Sequence, residues 1–202
     1  MISISRIVPD SFAKAFWLDS PVLQEHFFRM ALREAGIFYG RITVDHTNGM
    51  CWHKKIGWVP IIFPIKIIQT IARLSNTKTT KYFLRGVITD SRSWIRKYPN
   101  IHSSTYGRNR KPKYKLDLDY YQQLSLSFYG ISPIGDCPWS YRFFEAIMCK
   151  AIPILGDNED DRFAKSFFFL RDSSEHFYDK SAADSNFQIF VKNHTLAYYL
   201  PG

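Results

Sequence analysis

The chain has 202 residues, a formal net charge of +9, 46% hydrophobic and 17% aromatic residues. This composition excludes a disordered tail, and the length allows one domain, or two at most, with a substantial core. Charge is unevenly spread: residues 73–115 hold twelve Lys or Arg against the single Asp90, whereas residues 116–202 are net acidic. A basic block of this kind is a solvated face or a surface for polyanions. Cys51, Cys137 and Cys149 are odd in number and lack metal-ligand spacing. They point to a reducing compartment without a disulfide framework. The six histidines show no paired zinc spacing. Met1–Asp10 has no apolar core long enough for a signal peptide, so the expected location is cytoplasmic.

In chain order, Ser20-Pro21 makes an N-cap and first-turn pair, and Leu23, Phe27, Met30 and Ala31 recur at helical spacing until Gly36. Ile37–Val44 reads as a strand and His46–Gly49 as a turn. Ile56–Ala72 is the most apolar stretch, but Pro60, Pro64 and Lys66 interrupt it. It falls short of the ~20 residues of a spanning helix. It reads as a buried loop and helix at a domain seam; the alternative is a peripheral membrane contact through Trp52, Trp58 and Phe63. Tyr82–Leu84 is a short strand, Ser91–Tyr98 a helix stopped by Pro99, Ile101–Tyr106 a strand and Gly107–Lys115 a basic loop. Then follow a helix over Asp119–Ser127, a strand over Phe128–Pro133, a helix over Tyr141–Lys150 and strands over Ile152–Leu155 and Phe167–Leu170. Alternation of this sort predicts βαβ units and hence an α/β fold with a parallel sheet. Ile152–Leu155 is apolar enough to be an inner strand.

Residues 135–155 concentrate the chemistry. Ser140 caps the helix start, and Arg142 and Glu145, three apart, share one face of it. Free N–H groups at a helix start beside an arginine suit a diphosphate. A carboxylate one turn further in can accept from a ribose diol.

The run Gly135–Ile147, continued by Ala151-Ile152-Pro153-Ile154, resembles the donor-site motif of exostosin-like glycosyltransferases. Lys81–Gly86, with Arg92 soon after, resembles the strand and turn that open that family's donor domain, and Tyr121–Gly135 the helix and strand leading into the motif. The likeness covers residues 81–155, fades towards 180 and is not evident before 60. It implies a Rossmann-like parallel sheet with flanking helices, of the type-B glycosyltransferase (GT-B) donor-domain kind. Residues 75–202 would then be the nucleotide-sugar donor domain, behind a reduced acceptor-side portion at 1–74. The implied reaction is inverting, metal-independent sugar transfer from a nucleotide-diphosphate donor to a glycan or other hydroxyl acceptor. No cofactor is expected beyond that donor. Arg85, Gly86, Arg92, Ser140, Arg142 and Glu145 would line the donor site. An acceptor-side base is required; Asp10, Asp19, His46 and His53 are available, and nothing in the sequence selects one. A partner chain supplying the acceptor side stays open. The family usually has Gly where this chain has Lys150; a left-handed helix end favours Gly by ~1 kcal/mol, while a lysine there suits the helix dipole.

Other motifs have plainer readings. Asp117-Leu118-Asp119 spells the Asp-x-Asp of metal-dependent glycosyltransferases, but no apolar strand precedes it, and Asp119 with Gln122 makes a capping box. Asn158–Asp161 follows a strand end, as a solvated loop or a contact to sugar or acceptor. Asn193-His194-Thr195 matches a glycosylation sequon that is silent without secretion. Two rival classes remain. One is a nucleotide-sugar-binding remnant without activity. The other is a nucleic-acid binder with Tyr82, Trp94, Tyr98, Tyr106 and Tyr114 set among the basic residues, which leaves the 135–155 motif unexplained and is therefore not expected.

Overall fold

The computed structural model describes residues 3–6, 23–74, 77–86, 88–99, 101–103, 117–135 and 137–200. The chain divides into two compact units. One comprises residues 1–69, 111–116 and 191–202, the other 70–110 and 117–190. The C-terminal segment thus returns to the first unit, whereas the sequence reading ran the second domain to residue 202.

The first unit is built on an antiparallel sheet of β1 (Ser3–Arg6), β2 (Ile42–Asp45), β3 (Met50–His53) and β4 (Gly57–Pro60), in that order. Helix α1 (Leu23–Glu34) ends where Gly36 turns left-handed at φ +72°, as the spacing predicted. Phe28, Ala31 and Leu32 of α1 share one core with Ile42, Val44, Cys51, Val59 and Leu196. The Glu34 carboxylate accepts from the backbone N–H groups of Ile65 (2.7 Å) and Lys66 (3.0 Å), satisfying the start of α2 (Ile65–Ala72). Strand β2 begins at Ile42, later than the expected Ile37, and β3 and β4 were not foreseen. Burial alternates along β3, with Cys51 and His53 inside, but Met50 and Trp52 on its other face are apolar too, so no polar–apolar alternation marks the strand in the sequence. Phe63, expected among the membrane-facing aromatics, is fully buried against Phe27 at a ring distance of 5.3 Å. Trp58 is exposed, and Trp52 pairs with it across β3 and β4. Among the described residues no helix is long and apolar enough to cross a membrane.

The second unit is α/β. Strands β5 (Thr80–Gly86), β6 (Ile101–Ser103), β7 (Ser127–Ile131), β8 (Ile152–Leu155) and β9 (Leu170–Arg171) form one sheet in the order β6-β5-β7-β8-β9. Every neighbouring pair is parallel. All four residues of β8 are buried, as its unbroken apolar sequence requires of an inner strand. Its pairing with β7 (Tyr129↔Ile152, Ile131↔Ile154) is parallel, as the alternation of elements predicted.

Helices cover both faces of this sheet. Helices α3 (Leu118–Ser125) and α4 (Tyr141–Met148) lie against β7, α3 also against β5 and α4 against β8. The opposite face carries Ile95 and Tyr98, from and just after a 3₁₀ helix over Asp90–Lys97, and Ala183 of α5 (Lys180–Asn193). They pack on Leu84, Tyr129, Ile131, Ile152 and Ile154. The general kind is Rossmann-like. Gly130 lets α4 approach β7 closely: a Cβ there would lie 2.6 Å from that of Ala146.

Several boundaries moved. The Ser91–Tyr98 helix is 3₁₀, with Arg92 out of helical geometry at φ −114°. Helix α3 is capped by Asp117, whose Oδ1 accepts from Tyr120 N–H at 3.0 Å, in place of the expected Asp119 box. Of the last strand candidate, Phe167–Leu170, only Leu170 joins the sheet, together with Arg171. Helix α5 was missed, although Asp179 signals its start by accepting from Ser181 and Ala182 N–H. Ser20-Pro21, Asp136 and the basic loop Gly107–Lys115 lie outside the described residues.

Candidate functional site

The strand order reverses at β5: the chain leaves it outward to β6, then returns to β7 on its other side. Helices leave such a point towards opposite faces, opening a crevice at the carboxyl ends of the strands where ligands of α/β sheets bind. Gly86 ends β5 at this point. Arg142, in the first turn of α4, reaches back to it so closely that a methyl group on Gly86 would collide with the guanidinium. They stand 56 positions apart in the sequence, and the βαβ crossover brings them together. Ser140 caps α4 as expected, its Oγ accepting from Arg142 N–H at 3.2 Å.

Arg85 and Phe83 lie on the face that α3 covers, with the Arg85 guanidinium 6.0 Å from the Tyr120 ring centre. Its Nη1 donates to Asp117 at 3.3 Å and its Nη2 to Asp119 at 2.5 Å. Arg92 arrives from the 3₁₀ helix, and its Nε donates to the carbonyl of Ile134 at 3.0 Å, just beyond β7. Arg85, Gly86, Arg92, Ser140 and Arg142 therefore all stand at the carboxyl end of the sheet.

Glu145 is placed differently. It has no exposed surface and accepts from the hydroxyls of Tyr120 (3.2 Å) and Tyr121 (2.8 Å). A ribose could reach this carboxylate only by displacing those donors. Its expected role as a ribose ligand is corrected to that of a buried acceptor tying α3 to α4. Nothing near Glu145 in the sequence announces this, because the two tyrosines lie 25 and 24 positions upstream on another helix.

The structure adds Glu159 and Trp94 to this edge. Glu159 Oε2 accepts from Gly156 N–H at 3.1 Å, immediately after β8. The Ile134 N–H and the Trp94 indole face the same carboxylate. Burial raises the Glu159 pKa above the ordinary value, while these donors and the charge of Arg92 work the other way. Arg171 clamps the loop by donating to the carbonyls of Gly156 (2.7 Å) and Glu159 (3.0 Å) and pairing with Asp161. Of the acidic run Asn158–Asp161, Asn158 is exposed, Asp160 pairs with Arg162 and Asp161 with Arg171, and Glu159 turns to these donors. Its position just past a fully apolar strand was the available signal.

The remaining candidates carry structural duties. His53 is buried, with Nδ1 accepting from Lys55 N–H at 3.2 Å and Nε2 facing the Tyr39 carbonyl at 3.1 Å. Both ring nitrogens are used, so His53 is not placed to act as a base. His46 Nδ1 bonds Gln24 at 3.2 Å, and Asp10 and Asp19 lie outside the described residues. Thr195 of the sequon is buried and donates to the Val191 carbonyl. Of the aromatics proposed for base stacking, Tyr82 and Tyr98 pack against each other (4.8 Å) and against His176, while Tyr106 and Tyr114 lie outside the described residues. Lys150 adopts a left-handed conformation at φ +54°, which glycine would favour, and is anchored by Asp184 at 2.8 Å. No protein-family profile matches the chain, and no curated protein is significantly similar to it.

Proposed function

We propose that the second unit binds a nucleotide-diphosphate sugar and that the protein transfers the sugar to a hydroxyl acceptor, as an exostosin-like, type-B glycosyltransferase. The observation that carries this reading is the meeting of Arg142 with the Gly86 turn at the switch point of a parallel sheet. A backbone without a side chain, an arginine and a capped helix start together make a diphosphate cradle.

As the glycosidic bond breaks, negative charge gathers on the departing diphosphate. Arg142 and the N–H groups at the start of α4 stabilise that charge more than they stabilise the bound donor, which accelerates the chemical step. Arg92, fixed to Ile134, adds positive potential at the same edge, and Arg85 supplies a further guanidinium. Glu159, held with its loop clamped by Arg171, is placed to meet polar groups of the donor. Glu145 acts indirectly by fixing Tyr120 and Tyr121 behind α4. The proton of the acceptor hydroxyl must pass to a base outside the residues named.

A thermal-shift panel of nucleoside diphosphates tests the binding half of this reading. A ligand at 100 times its Kd adds ~2.7 kcal/mol of stability. At least one diphosphate should shift the transition clearly and its nucleoside should not. A flat response across the panel would remove the donor site. A shift accompanied by neither transfer nor donor hydrolysis would leave a binding protein in place of an enzyme.

A further inference from the structure

Asp117-Leu118-Asp119 does more than start a helix. Asp117 uses Oδ1 for the α3 cap and offers Oδ2 to Arg85, and Asp119 takes the other end of the same guanidinium. Both terminal nitrogens of Arg85 thus end on carboxylates, at the strand end where Arg142 meets Gly86. The pairs are open to water, with Asp119 67% and Arg85 28% exposed. Such ion pairs are weak enough to exchange. A diphosphate approaching Arg85 meets two charges of its own sign that already hold the donor it needs.

We propose that Asp117 and Asp119 are counter-ions of Arg85 that compete with the diphosphate, restraining its affinity so that the released nucleoside diphosphate leaves. This rests on the donor-site reading above and adds its regulation. In this arrangement the Asp-x-Asp segment holds a guanidinium where other glycosyltransferases place a cation. It also predicts the opposite sign from a metal site: neutralising a metal-binding carboxylate weakens diphosphate binding, whereas neutralising a competitor strengthens it.

The experiment is calorimetric titration of the full chain with inorganic pyrophosphate at low salt, with and without chelator. The wild type is compared with Asp119→Asn, Asp117→Asn and Arg142→Ala. Asparagine caps a helix about as well as aspartate, so Asp117→Asn keeps α3. Each Asn variant should bind pyrophosphate about two- to fivefold tighter, the span of an exposed ion pair. The gain should fade as salt rises and be indifferent to chelator. It should shrink when Arg85→Ala is combined with Asp119→Asn, because the coupling runs through Arg85. Asp184→Asn makes the same charge change beside Lys150, ahead of β8 at the opposite end of the sheet, and should leave binding unchanged. Unchanged or weaker binding in Asp119→Asn, an equal gain in Asp184→Asn, or a gain that persists in full without Arg85 would overturn the proposal while leaving the donor site standing. Pyrophosphate binding that is absent, or identical in wild type and Arg142→Ala, would overturn the donor site and this proposal together.

Discussion

In the antiparallel unit the buried polar groups close on one another. Gln24 donates to the Met50 carbonyl and contacts Cys51, His53 spans Lys55 and Tyr39, and His194 donates from Nδ1 to the Ile61 carbonyl at 2.7 Å. In the parallel unit the charged side chains divide by position. Near the amino end of β8, Lys78 donates to the Cys149 carbonyl at 2.9 Å and Lys150 pairs with Asp184, both serving the end of α4. At the carboxyl end Arg85, Arg92 and Arg142 converge from a strand, a 3₁₀ helix and α4. A lysine on a helix end is fully accounted for by stability. Three arginines from different elements gather at one strand end, where the proposed diphosphate would meet them. Under the proposed function, the contrast separates polar residues that serve the fold from those that would serve binding.

The largest test falls on Glu145, assigned here to the fold. Glu145→Ala leaves two tyrosine hydroxyls without their buried acceptor and should cost about 3–4 kcal/mol in urea unfolding. Glu145→Gln keeps an acceptor and should cost about 1 kcal/mol. An alanine variant of near wild-type stability but weakened donor binding would return Glu145 to the ligand and blur the contrast.

His194 comes next, in the antiparallel unit. Burial lowers its pKa from 6.5 to about 4, because a second proton would put a charge in the core. Between those values the unfolded chain holds a proton that the folded chain does not, so stability falls as pH drops from 6.5 towards 4. The loss should reach about 2–3 kcal/mol at the acid end. His194→Asn keeps a donor near the Nδ1 position without titrating in this window. It should lose this part of the pH dependence in urea midpoints measured at pH 7 and 4.5. An unchanged dependence would place the sensitive group elsewhere.

The smallest effect is expected at Lys150. Glycine removes ~1 kcal/mol of left-handed strain, and loss of the Asp184 pair returns 0–1 kcal/mol. Lys150→Gly should therefore lie within about 1 kcal/mol of wild type by thermal unfolding, on the stabilising side, with donor binding unaltered. Weakened binding would extend the functional region to the end of α4.

How far the sequence reached follows from the range of the forces involved. The strand at Ile152–Leu155, the α4 cap at Ser140 and the parallel β7–β8 pair were legible because local pattern and burial agree there. The β3–β4 hairpin was not, since apolar Met50 and Trp52 stand on the half-buried face of β3 and mask its alternation in the sequence. The approach of Arg142 to Gly86 was readable only as a spaced motif. The burial of Glu145 depends on Tyr120 and Tyr121, and Glu159 on Trp94, all set by tertiary packing. Asp119 reads as a cap in the sequence because its partner, Arg85, lies on a strand 34 residues away.

The proposed donor site rests on Arg142 at the Gly86 turn, and turnover of a nucleotide-diphosphate sugar tests it most directly. The measurement compares wild type, Arg142→Ala and Gly86→Ala, each checked for folding by thermal unfolding. Arg142→Ala should lose about 10²–10³-fold in kcat, ~3–4 kcal/mol of transition-state stabilisation. Gly86→Ala should fold normally, because only a flexible guanidinium must move, yet lose activity by displacing it. Near wild-type turnover in both variants would contradict the account.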